Sequence, residues 1–81
     1  MEDMYWHAGT ALAPGQIVWS DHTHRSRAAA EREAQRLARR EGGTPLIEAW
    51  PREHGLRPGD ADVVVATYVR RGDRWVEDAA L

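Results

Sequence analysis

The sequence lacks cysteine altogether, and it also lacks lysine, asparagine and phenylalanine. Without cysteine the chain can form neither a disulfide nor a cysteine-ligated zinc site, so nothing indicates an oxidising compartment. No apolar run approaches the roughly 18 residues that span a bilayer, and the N-terminus is acidic where a signal peptide is basic. We therefore expect a soluble cytoplasmic protein that does not insert into membranes.

Net charge is small, because 11 basic and 13 acidic residues give the 81-residue chain a formal charge of −2. This balance argues against a uniformly basic nucleic-acid-binding protein, although basic residues can still gather on one face. All 11 are arginine, which is typical of a GC-rich bacterial genome as well as of functional selection. With 42% apolar and 30% charged residues, the chain has the composition of a single globular domain, residues 1–81.

Periodicity and turn residues predict an α+β fold of element order β-β-α-β-β-β, with one helix packed on a face of an antiparallel sheet. The first two strands form a hairpin whose connection, residues 12–15, contains Pro and Gly. The predicted strands span residues 4–11, 17–21, 44–50, 62–70 and 74–77.

The helix is predicted over residues 27–41. Ser26 is a good N-cap, and two glycines after residue 41 end the helix. Its apolar positions recur at helical spacing and are Ala30, Ala34, Leu37 and Ala38. Because this face is mostly alanine, the four tryptophans, each in a different predicted strand, are expected to supply the bulk of the core against it. An exposed platform that stacks bases or sugars is the alternative for the tryptophans.

Arginines dominate the opposite side of this helix. At about 100° per residue, four of them share an arc of roughly 100°, and like charges four residues apart cost about 0.2–0.5 kcal/mol per pair. Such an arc can bind phosphates or the acidic surface of a protein, and a merely solvated face is the third possibility. The arc comprises Arg32, Arg36, Arg39 and Arg40, with Arg25 and Arg27 added at the helix start.

Two histidines end the second strand, in the segment IVWSDHTHRS of residues 17–26. In an extended chain His22 and His24 point to the same side, which is the spacing at which two imidazoles can share a metal ion. A third ligand is required, and His7 is a candidate that the expected hairpin register turns away from His22. We interpret the segment as a strand that leads into a capped helix, and we predict no metal and no cofactor.

The hairpin also suggests an acid–base pair. An imidazole oriented by a carboxylate is half of a catalytic relay, but no strained serine turn supplies an activated nucleophile. We predict no catalytic residues and a non-enzymatic protein, with a small histidine-dependent enzyme as an alternative. The register that places Leu12 opposite Gln16 gives the pairs His7 with Asp21 and Trp6 with His22.

The run Val63 to Val69 is the most strand-like part of the chain. As an exposed edge strand it would be prone to association, so it must be central, covered, or paired with a second copy. Homodimerisation through this run is a hypothesis.

Two segments resemble known families. The hairpin, the helix ending in LARREGG and the strand TPLIEAW resemble small bacterial ββαβ domains of unknown function, over about residues 5–50, and that resemblance implies no catalytic residues. The stretch PREHGLRPGDADVVVATYVRRGDRW, residues 51–75, is similar to the Gly-Leu-x-Pro-Gly-Asp turn and strand pair of AbrB-like swapped-hairpin regulators, which implies DNA binding.

The function predicted from these observations is a small interaction module. It binds a protein partner or a second copy of itself through the arginine arc or a sheet edge. Nucleic-acid binding through phosphate contacts of the arc is the first alternative, and the histidine-dependent metal site or enzyme is the second.

Overall fold

The computed structural model describes residues 4–51 and 66–78. These ranges form one helix and a five-stranded antiparallel sheet of strand order β2-β1-β3-β4-β5. The α+β class and the predicted element order are confirmed. In chain order the elements are β1 (Met4–Ala13), β2 (Gln16–His24), α1 (Arg27–Glu41), β3 (Thr44–Pro51), β4 (Ala66–Arg71) and β5 (Arg74–Glu77).

Helix α1 begins and ends where the local sequence predicts. The Ser26 hydroxyl accepts a hydrogen bond from the Ala29 amide at 3.1 Å, which satisfies one of the unpaired N–H groups of the first turn. At the other end Gly42 adopts a φ of 86°, a conformation that suits glycine, and its amide donates to the Ala38 carbonyl at 2.8 Å.

The alanine face of α1 packs on the sheet. Ala30 and Ala34 are fully buried against Ala8 of β1 and Ile47 of β3. The helix covers the β2, β1 and β3 side of the sheet. Partly buried aromatic side chains complete this layer at its margin, and they are Trp6, Tyr68 and Trp75.

The other face of the sheet is buried as well. Strand alternation turns Trp50 away from the helix, because its neighbour Ala49 pairs with Trp6 on the helix side. Trp50 is nevertheless 0% exposed, and Leu46 and Val69 on the same face are also buried. The expectation that the tryptophans build the core against the alanine face is therefore met in part. Trp6 and Trp75 pack against that layer, whereas Trp50 is fully buried on the face away from α1.

Strand β4 is an interior strand. Its residues pair with β3 on one side, as in Leu46 with Val69, and with β5 on the other, as in Arg71 with Arg74. The part of the run Val63 to Val69 that the structure describes, from Ala66 on, is thus already paired, so β4 offers no edge to a second copy. The first residues of the predicted strand, 62–65, lie outside the described residues.

The register of the β1–β2 hairpin follows the prediction from Gly9 to Ala11 and departs from it at both ends. The turn has only two residues, with Ala13 opposite Gln16, and Gly9 pairs with Trp19. Beyond this pair the register shifts by two, because three residues of β2, 20–22, lie opposite Ala8 alone. The predicted pairs of His7 with Asp21 and of Trp6 with His22 are therefore wrong. The observed partners are Thr23 for His7 and His24 for Trp6.

Gly9 allows Trp19 to lie across β1. A Cβ atom added at Gly9 would lie 2.7 Å from Trp19 Cε3 and 3.0 Å from Ile17 Cγ2, closer than carbon atoms approach without displacement. Its φ is not positive, so the lack of a side chain matters here for space and not for backbone conformation.

Substituting Gly9→Ala should lower the free energy of unfolding by about 1–3 kcal/mol through this overpacking. Without the steric contact alanine would be neutral or favourable, because it restricts the unfolded chain more than glycine does. Urea denaturation of Gly9→Ala, Trp19→Leu and the double variant measures the coupling. We expect the cost of alanine to become much smaller in the Trp19→Leu background, and an equal cost in both backgrounds would contradict the packing argument.

Candidate functional site

The arginine arc lies on the exposed side of α1. Arg32, Arg36, Arg39 and Arg40 are all exposed, on the side of the helix opposite the buried Ala30 and Ala34. The structure thus brings together the four arginines that helical periodicity groups. We call these four residues the arginine face.

Two members of the arginine face have carboxylate partners. Arg36 holds Glu33 with two hydrogen bonds, from Nε at 2.8 Å and from Nη2 at 2.7 Å, and this contact lowers the pKa of the Glu33 carboxyl. Arg40 Nε donates to Glu41 Oε2 at 2.9 Å. The arginine side chains are 51% and 56% exposed, so both guanidinium groups still reach solvent.

The other two members have no such partner. Among the described residues, neither Arg32 nor Arg39 forms a hydrogen bond or an ion pair. Seven residues separate them, which is about 10.5 Å along the helix axis. The face therefore presents two uncompensated positive charges two turns apart. Of the two paired arginines, Arg36 lies between them and Arg40 follows them.

Arg27 does not belong to the arginine face. Its guanidinium carbon lies 4.1 Å from the ring centre of Tyr68 and 6.0 Å from that of Trp6, and its Nε donates to Glu31 at 2.8 Å. It holds the start of the helix against the sheet through cation–π contact. The grouping of Arg27 with the binding residues is thus not supported by its position, whereas Arg25, next to the Ser26 cap, is exposed.

The histidines at the end of β2 lie beside the arginine face. The His22 Nδ1 donates to Asp21 Oδ1 at 2.8 Å, and this bond lowers the pKa of the Asp21 carboxyl. The rings of His22 and His24 are 4.6 Å apart between centroids. Burial, and then the neighbouring His22, lower the pKa of His24, against a smaller opposing effect of Glu33. Strand β2 extends through both histidines rather than ending before them.

His7 lies on the opposite face of the sheet, between two tryptophans. It is 1% exposed, stacks on Trp19 with ring centroids 4.5 Å apart, and meets the edge of Trp50 at 5.7 Å. Its Nε2 donates to the Ser20 carbonyl at 2.9 Å, and that bond assigns the proton to Nε2 in the neutral ring. Burial lowers the pKa of His7 despite this hydrogen bond. No pattern in the sequence identifies this stack, because it depends on the shifted register of the hairpin.

The candidate metal ligands and the candidate relay are not assembled. Among the described residues, no group of three or more histidine or acidic side chains is arranged to hold a metal ion. Asp21 pairs with His22 and not with His7. The Ser20 hydroxyl donates to the His22 carbonyl at 3.1 Å, so it is not the group that His7 contacts.

Comparison of the chain with protein-family models, with curated proteins and with solved structures gave no match in any of the three. No helix within the described ranges is long and apolar enough to cross a membrane.

His7, which is buried, and His24, which is partly buried, predict a pH dependence of stability. His7 and His24 both have a pKa below the ordinary 6.5 in the folded chain. Below pH 6.5 the unfolded chain therefore takes up protons first. The free energy of unfolding falls as the pH drops from 6.5 through the folded-state pKa values of the two histidines. The slope is at most about 1.4 kcal/mol per pH unit for each histidine. Above pH 6.5 both states are neutral at these positions, and their contribution is complete.

Urea denaturation from about pH 8 to about pH 5 checks this prediction. We expect the His7→Gln, His24→Gln double variant to be less stable than the original chain at pH 8 but to lose less stability on acidification. If the free energy of unfolding of the double variant falls as steeply between pH 6.5 and pH 5 as that of the original chain, other groups cause the loss of stability in acid.

Proposed function

We propose that this chain is a soluble, cytoplasmic, non-enzymatic interaction module that binds an acidic protein surface through the arginine face of α1. The observation that carries the proposal is the pair of exposed arginines, Arg32 and Arg39, that lack an intramolecular partner among the described residues while two neighbours have one. A partner of opposite charge can pair with both guanidinium groups without breaking an existing ion pair.

Carboxylates can bind this face in a defined geometry. Arg36 already holds a carboxylate with two parallel hydrogen bonds, and a fork of this kind is what arginine offers to a planar carboxylate. The spacing of about 10.5 Å between Arg32 and Arg39 equals two helical turns. An acidic helix with carboxylates two turns apart can therefore meet both arginines at once.

Nucleic acid is the second candidate. A duplex carries one charge per 3.4 Å along each strand, which is denser than two uncompensated arginines in about 10.5 Å. Glu33 and Glu41 lie beside the arginine face, and the chain has a net charge of −2. These charges oppose the approach of a polyanion and favour a partner with few, well-placed carboxylates.

The test uses two probes at low salt: a helical peptide with glutamates two turns apart, and a short mixed-sequence duplex DNA. We expect the peptide to shift backbone amide signals of residues 32–40. The Arg32→Ala, Arg39→Ala variant should weaken peptide binding several-fold, and at most about thirtyfold, because each exposed ion pair contributes up to about 1 kcal/mol. Titration followed by amide NMR measures both effects.

A matched control distinguishes the face from general charge. The Arg71→Ala, Arg74→Ala variant also loses two positive charges, from exposed residues at the turn between β4 and β5, where Arg71 pairs with Asp78 at 3.2 Å. It should bind the peptide normally. Equal weakening in both variants would contradict a specific face. Duplex binding with a log–log salt slope near −3.6, the value expected for four phosphate contacts, would replace the protein partner with nucleic acid.

A further inference from the structure

The outer edge of β2 is open. Among residues 4–51 and 66–78, strand β2 is the last strand of the sheet on its side and pairs only with β1. Within the described part of the chain, no backbone hydrogen bond reaches β2 from any element other than β1. One side of the strand therefore presents unpaired N–H and C=O groups, which are a template for another strand.

The first half of β2 lacks the features that normally protect an edge. Residues 16–20, QIVWS, contain no charge and no proline, and their three apolar side chains are only partly buried. The sheet's other edge, β5, has only four residues and carries Arg74 at one end and Glu77 at the other. Short length and charge are common means by which proteins prevent edge pairing. Of the two edges of the sheet that the described residues form, only the first half of β2 is unprotected in this sense.

We propose that a second copy of this chain pairs with β2, antiparallel and centred on Val18. In this register Val18 faces Val18 of the second copy, while Ile17 faces Trp19 across the interface. The next residues outward, Gln16 and Ser20, are polar and uncharged, and Ser20 begins the irregular stretch at which regular pairing ends. Every cross-strand pair is thus compatible, and the apolar ones are of the kind that stabilises antiparallel sheets.

Neighbouring registers are less favourable. Centring the pairing on Trp19 would place Ile17 opposite the charged Asp21 of the second copy. Centring it on Ile17 would draw Pro14 into the ladder, where it has no N–H to donate. The irregular stretch 20–22 ends regular pairing on the other side. Sequence and bulge together select the register centred on Val18.

The proposed pairing is independent of the arginine face. Joining two β2 edges places the two-fold axis perpendicular to the sheet, so both α1 helices lie on the same side. The sheet becomes continuous across the interface, and the two arginine faces point in the same direction. The interface uses the backbone edge of β2, and neither Arg32 nor Arg39 is part of it.

The test is sedimentation equilibrium of charge variants at Val18. The original chain should show a monomer–dimer equilibrium, whereas Val18→Lys and Val18→Glu should each be monomeric because like charges face one another at the axis. An equimolar mixture of the two variants should dimerise with a Kd at least about tenfold lower than either variant alone, because the opposed charges are now opposite in sign.

Matched controls are Val76→Lys and Val76→Glu. Val76 is an apolar residue of the other edge strand and is 40% exposed, so these variants should dimerise like the original chain. Loss of the dimer in the Val76 variants alone would assign the interface to β5 and overturn the proposal. A monomer mass for the original chain at every concentration up to about 1 mM would also overturn it.

A second measurement covers the case in which the Val18 variants do not fold. In the original chain, amide hydrogen exchange of residues 16–20 should slow as the protein concentration rises, because the outward N–H groups become paired. Amides of β5 should not change. Exchange at residues 16–20 that is independent of concentration, with a dimer present, would place the interface elsewhere.

Discussion

The close contact of α1 with β1 and β3 is the constraint on which the other features depend. Ala30 and Ala34 are small enough to let the helix lie directly on Ala8 and Ile47. The C-terminal end of the helix is held to β1, because the Thr10 hydroxyl donates to the Gly42 carbonyl at 2.7 Å. A Cβ atom on Gly43 would lie 2.5 Å from the Ala11 carbonyl oxygen. The helix can neither rotate nor rise without breaking these contacts, so its opposite side, the arginine face, is fixed towards solvent.

Local sequence patterns predict those elements whose bounds depend on interactions between residues close in sequence. The bounds of α1 follow from the Ser26 cap, the glycines after residue 41 and the spacing of the alanines, and β5 follows from a short strand after a Gly-Asp turn. The hairpin register beyond Gly9 did not follow, because it depends on the three residues of β2 that lie opposite Ala8. Those contacts join residues distant in sequence. The position of His7 between two tryptophans is a consequence of that register and was missed with it.

The side of the helix on which Arg27 lies is predictable from the sequence. It precedes Ala30 by three residues and Ala34 by seven, which is the spacing of one helix face. Its helical phase therefore places it near the buried stripe, whereas Arg32 lies on the opposite side. The contact of its guanidinium with Tyr68 at 4.1 Å requires knowledge of which strands neighbour one another. Sequence alone can exclude Arg27 from the arginine face, but it cannot identify the ring that it covers.

The two proposed surfaces differ in chemistry and in direction, and this difference lets them act together. The first half of the β2 edge is uncharged and lies in the plane of the sheet, while the arginine face is charged and points away from that plane. Pairing through β2 would leave every arginine of the face exposed and would double the number of faces on one side of the assembly. A partner with two acidic segments would then bind the second arginine face in an intramolecular step. Two weak contacts would thus give a tighter complex, although no new residue takes part in binding. The small charge of each arginine face is therefore compatible with strong binding only where the partner engages two copies at once.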